Sequence, residues 1–318
     1  MKVENIYLSK FNEWLIIKRF ASKTVQGFCN TVKHFIDWLE IENIEIENAS
    51  YNDILAFVSY QRKRGNKPRT LQLYTNAIKH FYNFLQSEEA VTENPVSNVM
   101  IKGIKRKTLH EILSPEELET IYKNYTTTID VEEIKKTKNT RCVPPQRNNE
   151  LARKRNKIIL GLIIYQGIRT EELAKLELQD LQLREGKINI QGSIRTEGRL
   201  LKLEAHQVYD LMDYVHEIRK QILEATKKNS NKVFISVGAS LNFNNIMAKL
   251  IKSIRAKHPK IKDAKQIRTS VITNWLKKHN LRKVQYMAGH RYVSSTEAYQ
   301  LNNIEELQDD IKKYHPIG

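Results

Sequence analysis

The sequence predicts a mainly α-helical protein of two domains, a small helical bundle followed by a larger α-rich domain that carries a small antiparallel β-sheet. Three observations predict this fold class. The chain has 318 residues and is 40% apolar, which is enough to fill two cores. Apolar residues recur with the helical period through most of its length. The only convincing strand signal lies between residues 187 and 203, where two short segments flank a loop bounded by glycines.

Four helices are predicted in the first domain, residues 1–105. Their apolar positions recur every three or four residues and their connections are short, which is typical of a small bundle. Start signals precede two of the helices, at Ser22 to Thr24 and at Thr70. The four apolar stripes are Leu8, Phe11 and Leu15; Val25, Phe28, Val32, Phe35, Ile36 and Leu39; Ile54, Phe57 and Val58; and Leu71, Tyr74, Ile78, Phe81 and Leu85.

The charge of the chain predicts a polyanionic partner. The formal net charge is +17 and the pI is about 9.6, and each phosphate that a basic side chain neutralises releases a condensed counterion. Nucleic acid is the first expectation and an acidic membrane surface the second. A basic corner between the third and fourth helices is a candidate contact with DNA, and a solvated helix end is the alternative. It comprises Arg62, Lys63, Arg64, Lys67 and Arg69.

A basic segment without apolar period separates the two domains. If the partner is nucleic acid, we expect its charges to bind mostly phosphate and to carry little sequence information. The second domain, residues 112–318, opens with Ser114 as N-cap, Pro115 at the first helical position and Glu117 at N3. The basic residues of the segment are Lys102, Lys105, Arg106 and Lys107, and the inward positions of the new helix are Leu118, Ile121 and Tyr122.

The remaining elements of the second domain are predicted from the same patterns. The polar stretch from Thr126 to Asn149 predicts a surface excursion before a buried helix that carries Ile158 to Tyr165. Two strands, Lys187 to Gln191 and Arg199 to Leu203, form a hairpin around a glycine-bounded loop. Helices then resume at Val208, Leu211, Val215, Ile218 and Ile222, near Ile246, Leu250 and Ile254, and in the segments that carry Arg268, His290 and Tyr299.

Several classes of protein are excluded by what the sequence lacks. The first residues have no apolar core of a signal peptide and the longest apolar run is too short to span a bilayer, so we expect a soluble, cytoplasmic protein that does not bind a membrane. Cys29 and Cys142 have no ligand-like spacing to each other or to the histidines, which predicts buried thiols, no disulfide and no metal site. Without a phosphate-binding loop or a dinucleotide fingerprint, we expect no cofactor.

Four residues of the second domain have the chemistry needed to cut a phosphodiester without a metal. Arg169 and Arg268 are candidates for a clamp on the non-bridging oxygens, because a planar guanidinium binds phosphate through two hydrogen bonds and stays charged. Tyr299 is the candidate nucleophile, since a cationic pocket favours its phenolate. His290 is a candidate either to donate a hydrogen bond to the phosphate or to help move the proton of the tyrosine.

These motifs resemble those of the tyrosine recombinases, the family of phage integrases and Xer-type enzymes. Gly167-Ile-Arg169-Thr-Glu-Glu-Leu173 looks like the first-arginine box, and Met287-Ala-Gly-His290 looks like the Leu-Gly-His box. Tyr299 follows His290 by nine residues, which is the separation between the histidine and the nucleophile in the family. The resemblance covers nearly the whole chain. It implies a SAM-like core-binding domain, a catalytic domain of the DNA breaking-rejoining fold, and an active-site role for Glu172.

Two positions depart from the family pattern. The His-x-x-Arg box appears as Lys265-Gln-Ile-Arg268, so a charged amine replaces an imidazole that accepts protons more readily. In the family, a lysine in the hairpin resembles the general acid that protonates the 5′-hydroxyl leaving group. Arg195 stands at that position here, and arginine holds its proton too tightly to be a good acid. Lys202 is the alternative for that role, and a purely structural role is the other interpretation of Lys202.

The resemblance implies a mechanism and an assembly. Tyr299 attacks the scissile phosphate to give a 3′-phosphotyrosyl enzyme, and the family works as a homo-tetramer on two double-stranded DNA sites through a Holliday junction. Ile304, Leu307 and Ile311 line a tail helix that docks either on a neighbouring subunit or on its own domain. The expected protein is the integrase or transposase of a mobile element. The alternatives are a Xer-like chromosome-dimer resolvase or invertase, a type IB topoisomerase, and a DNA-binding protein of this fold that has lost catalysis.

Overall fold

The computed structural model describes residues 3–104, 111–128, 146–194, 196–238 and 242–300. The chain divides into two compact units, Met1–Thr108 and Leu109–Gly318. Helices predominate in both units and a small antiparallel sheet lies in the second, so the predicted fold class is confirmed. Several predicted features lie outside the described residues: Lys105, Arg106, Lys107, Cys142, Arg195 and the tail helix with Ile304, Leu307 and Ile311.

The first unit contains the four predicted helices, α1 (Val3–Ile17), α2 (Ser22–Ile41), α3 (Tyr51–Lys63) and α4 (Pro68–Ser87), with a short 3-10 turn at Ile46–Asn48. Their stripes meet in an aromatic core in which the ring centroids of Phe11 and Phe81 are 5.3 Å apart and those of Phe35 and Phe57 are 5.1 Å apart. Edge-to-face pairs of this kind add to the free energy of burial.

Neither hydroxyl start signal of the first unit acts as a cap. Ala21 is the N-cap of α2, and its carbonyl accepts the first backbone hydrogen bonds, from Thr24 and Val25. Helix α4 begins at Pro68, before Thr70, because proline presets the helical φ and lacks the N–H that would be unsatisfied in the first turn. Cys29 is half-buried rather than buried, and this burial raises the pKa of its thiol.

The second unit opens as predicted with α5 (Pro115–Lys123). The backbone N–H of Ser114 donates to Glu117 Oε2 at 2.9 Å, and the N–H of Glu117 donates back to Ser114 Oγ at 3.2 Å, which is a capping box. Helix α6 (Gln146–Gln166) includes the last residues of the stretch predicted as a surface excursion. The stretch therefore ends earlier than predicted, and Leu151, 5% exposed, already packs in the core of this unit.

The sheet has one strand more than predicted. Its order is β1 (Leu181–Gln182), β2 (Lys187–Ile190) and β3 (Arg199–Lys202), all antiparallel. With two residues, β1 is too short to show an alternating pattern, and β2 and β3 each end one residue earlier than predicted. Ile190 pairs with Arg199 across β2 and β3.

The helix predicted after the sheet is interrupted. It consists of α8 (Ala205–Asp213), a π-helical turn at Tyr214–Ile218 and α9 (Arg219–Thr226). The short helix before the sheet is α7 (Thr170–Lys175). The extra residue of a π turn does not disturb the apolar spacing on either side, so periodicity could not predict it.

Four further helices follow in the described part of the second unit. They are α10 (Phe243–Lys257), α11 (Ala264–Lys278), α12 (Leu281–Ala288) and α13, residues 293–300. In the described part of the chain, no helix combines the length and the apolar character needed to cross a membrane.

Candidate active site

Arg268 joins the segments that carry the other site residues. It lies on α11 and is 7% exposed, and its guanidinium donates to the carbonyls of Gly167 and, at 2.7 Å, of Ala288. Gly167 precedes Arg169 by two residues, and Ala288 precedes His290 by two residues. One buried side chain therefore holds together two segments that are far apart in the sequence.

Arg169 is placed by the turn that precedes α7. It is the N-cap residue of this helix, and its backbone N–H donates to Glu172 Oε2 at 2.8 Å. The turn needs Gly167, whose φ of +55° is in the left-handed region and whose missing Cβ would lie 3.0 Å from the ring of Trp275. The glycine of the first box thus has a local structural reason.

Glu172 is paired with Arg199, which is not among the site residues predicted from the sequence. Arg199 donates through both terminal nitrogens to the two carboxylate oxygens, at 2.9 and 2.8 Å, and through Nε to the carbonyl of Met287 at 2.9 Å. The two side chains are 0% and 8% exposed. Strand alternation could have indicated Arg199, because it lies on the same face of β3 as the core residue Leu201.

The close packing around Arg199 also explains the second box glycine. Gly289 has φ +64° and ends α12 in the left-handed conformation. A Cβ at this position would meet the guanidinium of Arg199. Glycine here allows both the turn into His290 and the approach of the Arg199–Glu172 pair.

Arg169 and Arg268 are two cationic side chains of the site that can bind an anion. Burial alone would raise the pKa of Glu172, but its hydrogen bonds and its attraction to Arg199 hold that pKa below the ordinary value, so the carboxylate is charged. Burial, and then repulsion by Arg169, lower the pKa of Arg268 to about 10, which still leaves it protonated at neutral pH. Within the described ranges, neither Arg169 nor Arg268 forms an ion pair with a carboxylate, so both can bind an anion.

His290 is neutral in this setting. Burial, followed by repulsion from Arg268 and Arg169, lowers its pKa to about 3. The imidazole is 3% exposed, and its Nδ1 lies 2.8 Å from Oγ1 of Thr296 on α13. A neutral imidazole has one nitrogen that donates and one that accepts.

Tyr299 lies beside His290 in the same unit. The two rings are stacked with their centroids 5.6 Å apart and an interplanar angle of 16°. The half-buried Tyr299 ring also packs against a small cluster formed by Ile272, Val284 and Ala288. The candidate nucleophile, the neutral histidine and the two arginine segments therefore converge on one place.

The hairpin is attached to the histidine segment along the free edge of β3. Thr196 forms an isolated antiparallel bridge with His290, and the N–H of Glu197 donates to the carbonyl of Gly289 at 3.4 Å. Further along the same edge, the hydroxyl of Tyr286 accepts from the N–H of Leu200 at 3.1 Å and lies 3.3 Å from its carbonyl. The hairpin loop is thus held at the site.

Two other predicted site residues of the second unit, Lys265 and Lys202, are exposed. Lys265 lies near the start of α11 with an exposed side chain, for which no hydrogen bond or ion pair is found in the described part of the chain. Arg195 is outside the described residues, and Lys202 is exposed on β3. In the first unit, the side chains of Arg62, Lys63, Arg64, Lys67, Arg69 and Lys102 are exposed, as a contact with DNA requires.

The neutral His290 makes stability depend on pH with a defined sign. Its pKa of about 3 in the folded protein is below the ordinary value of 6.5, so as the pH falls the unfolded chain binds the proton first. Its contribution to stability is therefore complete above about pH 6.5 and is lost as the pH falls towards 3. We expect the thermal unfolding midpoint to fall more steeply between about pH 6.5 and 4 in wild type than in His290→Asn.

The comparison of these two proteins isolates one group. His80, whose pKa is also lowered by burial, is present in both, so the difference between the two slopes reports on His290. Equal slopes would mean that His290 is not held in its neutral form.

Comparison with known proteins supplies the context of this site. The model of the phage integrase family matches residues 113–306, and that of the phage integrase N-terminal SAM-like domain matches residues 8–89. Tyrosine recombinase XerD of Staphylococcus saprophyticus is 28% identical over 165 residues, so the match spans about half of either protein, 51% of this chain and 55% of the relative. Tyrosine recombinase XerC of Oceanobacillus iheyensis is 26% identical over 316 residues, which are 98% of this chain and 96% of the relative.

Solved structures share the fold. The XerH site-specific recombinase bound to a palindromic difH substrate, a post-cleavage complex, has a TM-score of 0.63 at 19% identity and covers 90% of this chain and 78% of its own. A lambda integrase dimer bound to a COC′ core site has a TM-score of 0.61 at 14% identity and covers 93% and 94%.

Proposed function

Because the chain belongs to the phage integrase family, we propose that it is a site-specific DNA recombinase that breaks and rejoins strands through a tyrosine. The observation that carries this proposal is the convergence of Tyr299 and neutral His290 with two arginines that lack a carboxylate partner in the described residues. Their charge complements that of a phosphodiester, whereas the third arginine of the site, Arg199, is neutralised by Glu172.

The proposed reaction begins with binding of the scissile phosphate. Arg169 and Arg268 bind its non-bridging oxygens, where negative charge concentrates in the five-coordinate transition state. Arg268 is already fixed by two backbone carbonyls, so little reorganisation is needed when the phosphate binds.

Cleavage then forms one bond and breaks another. Tyr299 gives up its phenol proton to solvent and its oxygen bonds to phosphorus. The bond from phosphorus to the 5′ oxygen breaks, and the leaving oxygen takes up a proton to become a 5′-hydroxyl. The product is a 3′-phosphotyrosyl enzyme. Attack by the 5′-hydroxyl of a partner duplex reverses these steps, so the bond energy is conserved and no nucleotide cofactor is consumed. Arg195 and Lys202 are the candidate proton donors.

The proposed substrate is double-stranded DNA, and the proposed assembly is a homo-tetramer on two DNA sites. Support comes from the exposed basic residues of the first unit and from the similar fold of a lambda integrase tetramer bound to a Holliday junction, TM-score 0.60. We propose that the protein acts in the cytoplasm and serves the integration or transposition of a mobile element.

Two alternatives have specific support. A Xer-like resolvase is favoured by the XerC match, which spans nearly the full length of both proteins. A DNA-binding protein without catalysis is favoured by Lys265, which replaces an imidazole and for which the described residues offer no bonding partner.

Strand exchange between two differently labelled duplexes tests the proposed function. The cognate site is first identified by mapping the ends of covalent complexes on genomic DNA. When each duplex contains this site, we expect a recombinant product that carries both labels. Relaxation of supercoiled DNA without exchange would indicate a topoisomerase instead. DNA binding without a covalent complex would indicate the non-catalytic alternative.

A further inference from the structure

Thr296 connects His290 with the helix that carries Tyr299. It lies on α13 three residues before Tyr299, is 0% exposed, and places its Oγ1 2.8 Å from Nδ1 of His290. It is not among the site residues predicted from the sequence. Any role of Thr296 in the reaction rests on the proposed function, because it concerns how His290 acts beside Tyr299.

The hydroxyl of Thr296 differs from comparable hydroxyls in the same unit. Those of Thr120, Thr226 and Ser270 donate to the backbone carbonyl four residues earlier, at 2.7, 2.7 and 3.0 Å. In the described part of the chain, Thr296 has no such bond, and His290 Nδ1 is the only hydrogen-bond partner of its hydroxyl. The side chain therefore serves the imidazole rather than its own helix.

The position of the ring hydrogen of His290 follows from which tautomer satisfies the hydrogen bonds of both Nδ1 and the Thr296 hydroxyl. If Nδ1 carried the hydrogen of the neutral ring, it would donate to Thr296 and the hydroxyl proton of Thr296 would be left without an acceptor in a fully buried place. Such an unsatisfied group costs about 1–3 kcal/mol. If Nδ1 is bare, the hydroxyl donates to it and both groups are satisfied. The hydrogen of the ring then resides on Nε2.

We infer that Thr296 is a positioning residue that donates to Nδ1 of His290 and thereby holds the imidazole as the Nε2–H tautomer. In this form, Nε2 donates a hydrogen bond to an oxygen of the scissile phosphate and cannot accept the proton of Tyr299. The contact thus decides between the two roles that the sequence left open for His290. It also couples the orientation of the ring to the helix that carries the nucleophile.

The test measures single-turnover formation of the covalent adduct on a nicked suicide duplex. Thr296→Val removes the hydroxyl at nearly constant volume, and Thr296→Ser keeps it. We expect Thr296→Val to slow the reaction about 10- to 100-fold, because it removes part of the contribution that a positioned proton donor makes to the rate. Thr296→Ser should stay within about threefold of wild type. Ser295→Val, the same loss of a hydroxyl at an exposed neighbouring position, is the control and should react normally.

A double-mutant comparison separates positioning from packing. In a His290→Ala background, Thr296→Val should cause no further loss, because the residue acts through the imidazole. An equal further loss, or equal losses in Thr296→Val and Thr296→Ser, would overturn the inference. So would a Thr296→Val enzyme as fast as wild type while Tyr299→Phe is inactive, and the proposed function would then stand without it.

¹⁵N NMR of protein labelled with ¹⁵N-histidine reports the tautomer of His290 in the free protein, without any reaction. The resonances of His290 are assigned by their absence in His290→Asn. Wild type should show the hydrogen on Nε2, and Thr296→Val should shift the pair of nitrogen resonances towards a mixture of tautomers. A hydrogen on Nδ1 in wild type would overturn the inference whether or not an adduct forms, whereas failure of wild type to form any adduct would reject the proposed function alone.

Discussion

Tyr299→Phe is expected to reduce covalent adduct formation on a nicked suicide duplex by at least about a thousandfold, because removal of a catalytic nucleophile costs three or more orders of magnitude. The phenylalanine ring can keep the stack on His290 and the packing against Ile272 and Val284, so folding and DNA binding should be retained. Adduct is measured as protein that migrates with labelled DNA after denaturation.

The matched control is Tyr292→Phe. Tyr292 comes two residues after His290 and is 66% exposed, and loss of its hydroxyl should leave the adduct at the level of wild type. If Tyr299→Phe formed as much adduct as wild type, or if Tyr292→Phe were the inactive variant, the assignment of the nucleophile would be wrong.

The second large effect is expected on stability, at the buried pair of Glu172 and Arg199. Glu172→Leu leaves the guanidinium of Arg199 buried without its carboxylate, and breaking a buried ion pair in this way typically costs about 3–5 kcal/mol. The double variant Glu172→Leu/Arg199→Met also removes the guanidinium that the single variant leaves without its carboxylate, and it should recover most of that loss. Chemical denaturation of the three proteins measures the free energy of unfolding.

An exposed ion pair in the same unit serves as the comparison. Arg291 and Glu197 are 3.8 Å apart with side chains 48% and 62% exposed, so Glu197→Ala should change the free energy of unfolding by less than about 1 kcal/mol. A Glu172→Leu variant as stable as wild type, or a double variant less stable than the single one, would contradict the account of this pair.

Much of the fold could be predicted because helices leave a local pattern. The stripes behind α1 to α4 and the capping box at Ser114 depend on residues three or four apart, which the sequence displays directly. Elements without a repeating pattern were missed. The strand β1 has two residues, and the π turn at Tyr214–Ile218 does not alter the spacing of the apolar residues on either side.

The residues of the candidate site were predicted from motifs, whereas its geometry depends on contacts distant in sequence. Arg169, Arg268, His290 and Tyr299 stand in recognisable boxes. The bond between Arg199 and Glu172, 27 residues apart, requires a strand to be placed against a helix, and no local spacing encodes it. Similarly, Lys265 shares its helix with Arg268, but only the packed structure shows that one side chain is exposed and the other buried.

Identification of the residue that carries the DNA tests whether Tyr299 is the nucleophile. Wild-type protein trapped on a nicked suicide duplex is digested with a protease, and the peptide that remains attached to the nucleotide is sequenced by mass spectrometry. We expect a phosphodiester between Tyr299 and the 3′ end of the cleaved strand, together with a free 5′-hydroxyl. Attachment to any other residue, attachment to a 5′ phosphate, or cleavage without an attached peptide would contradict this expectation.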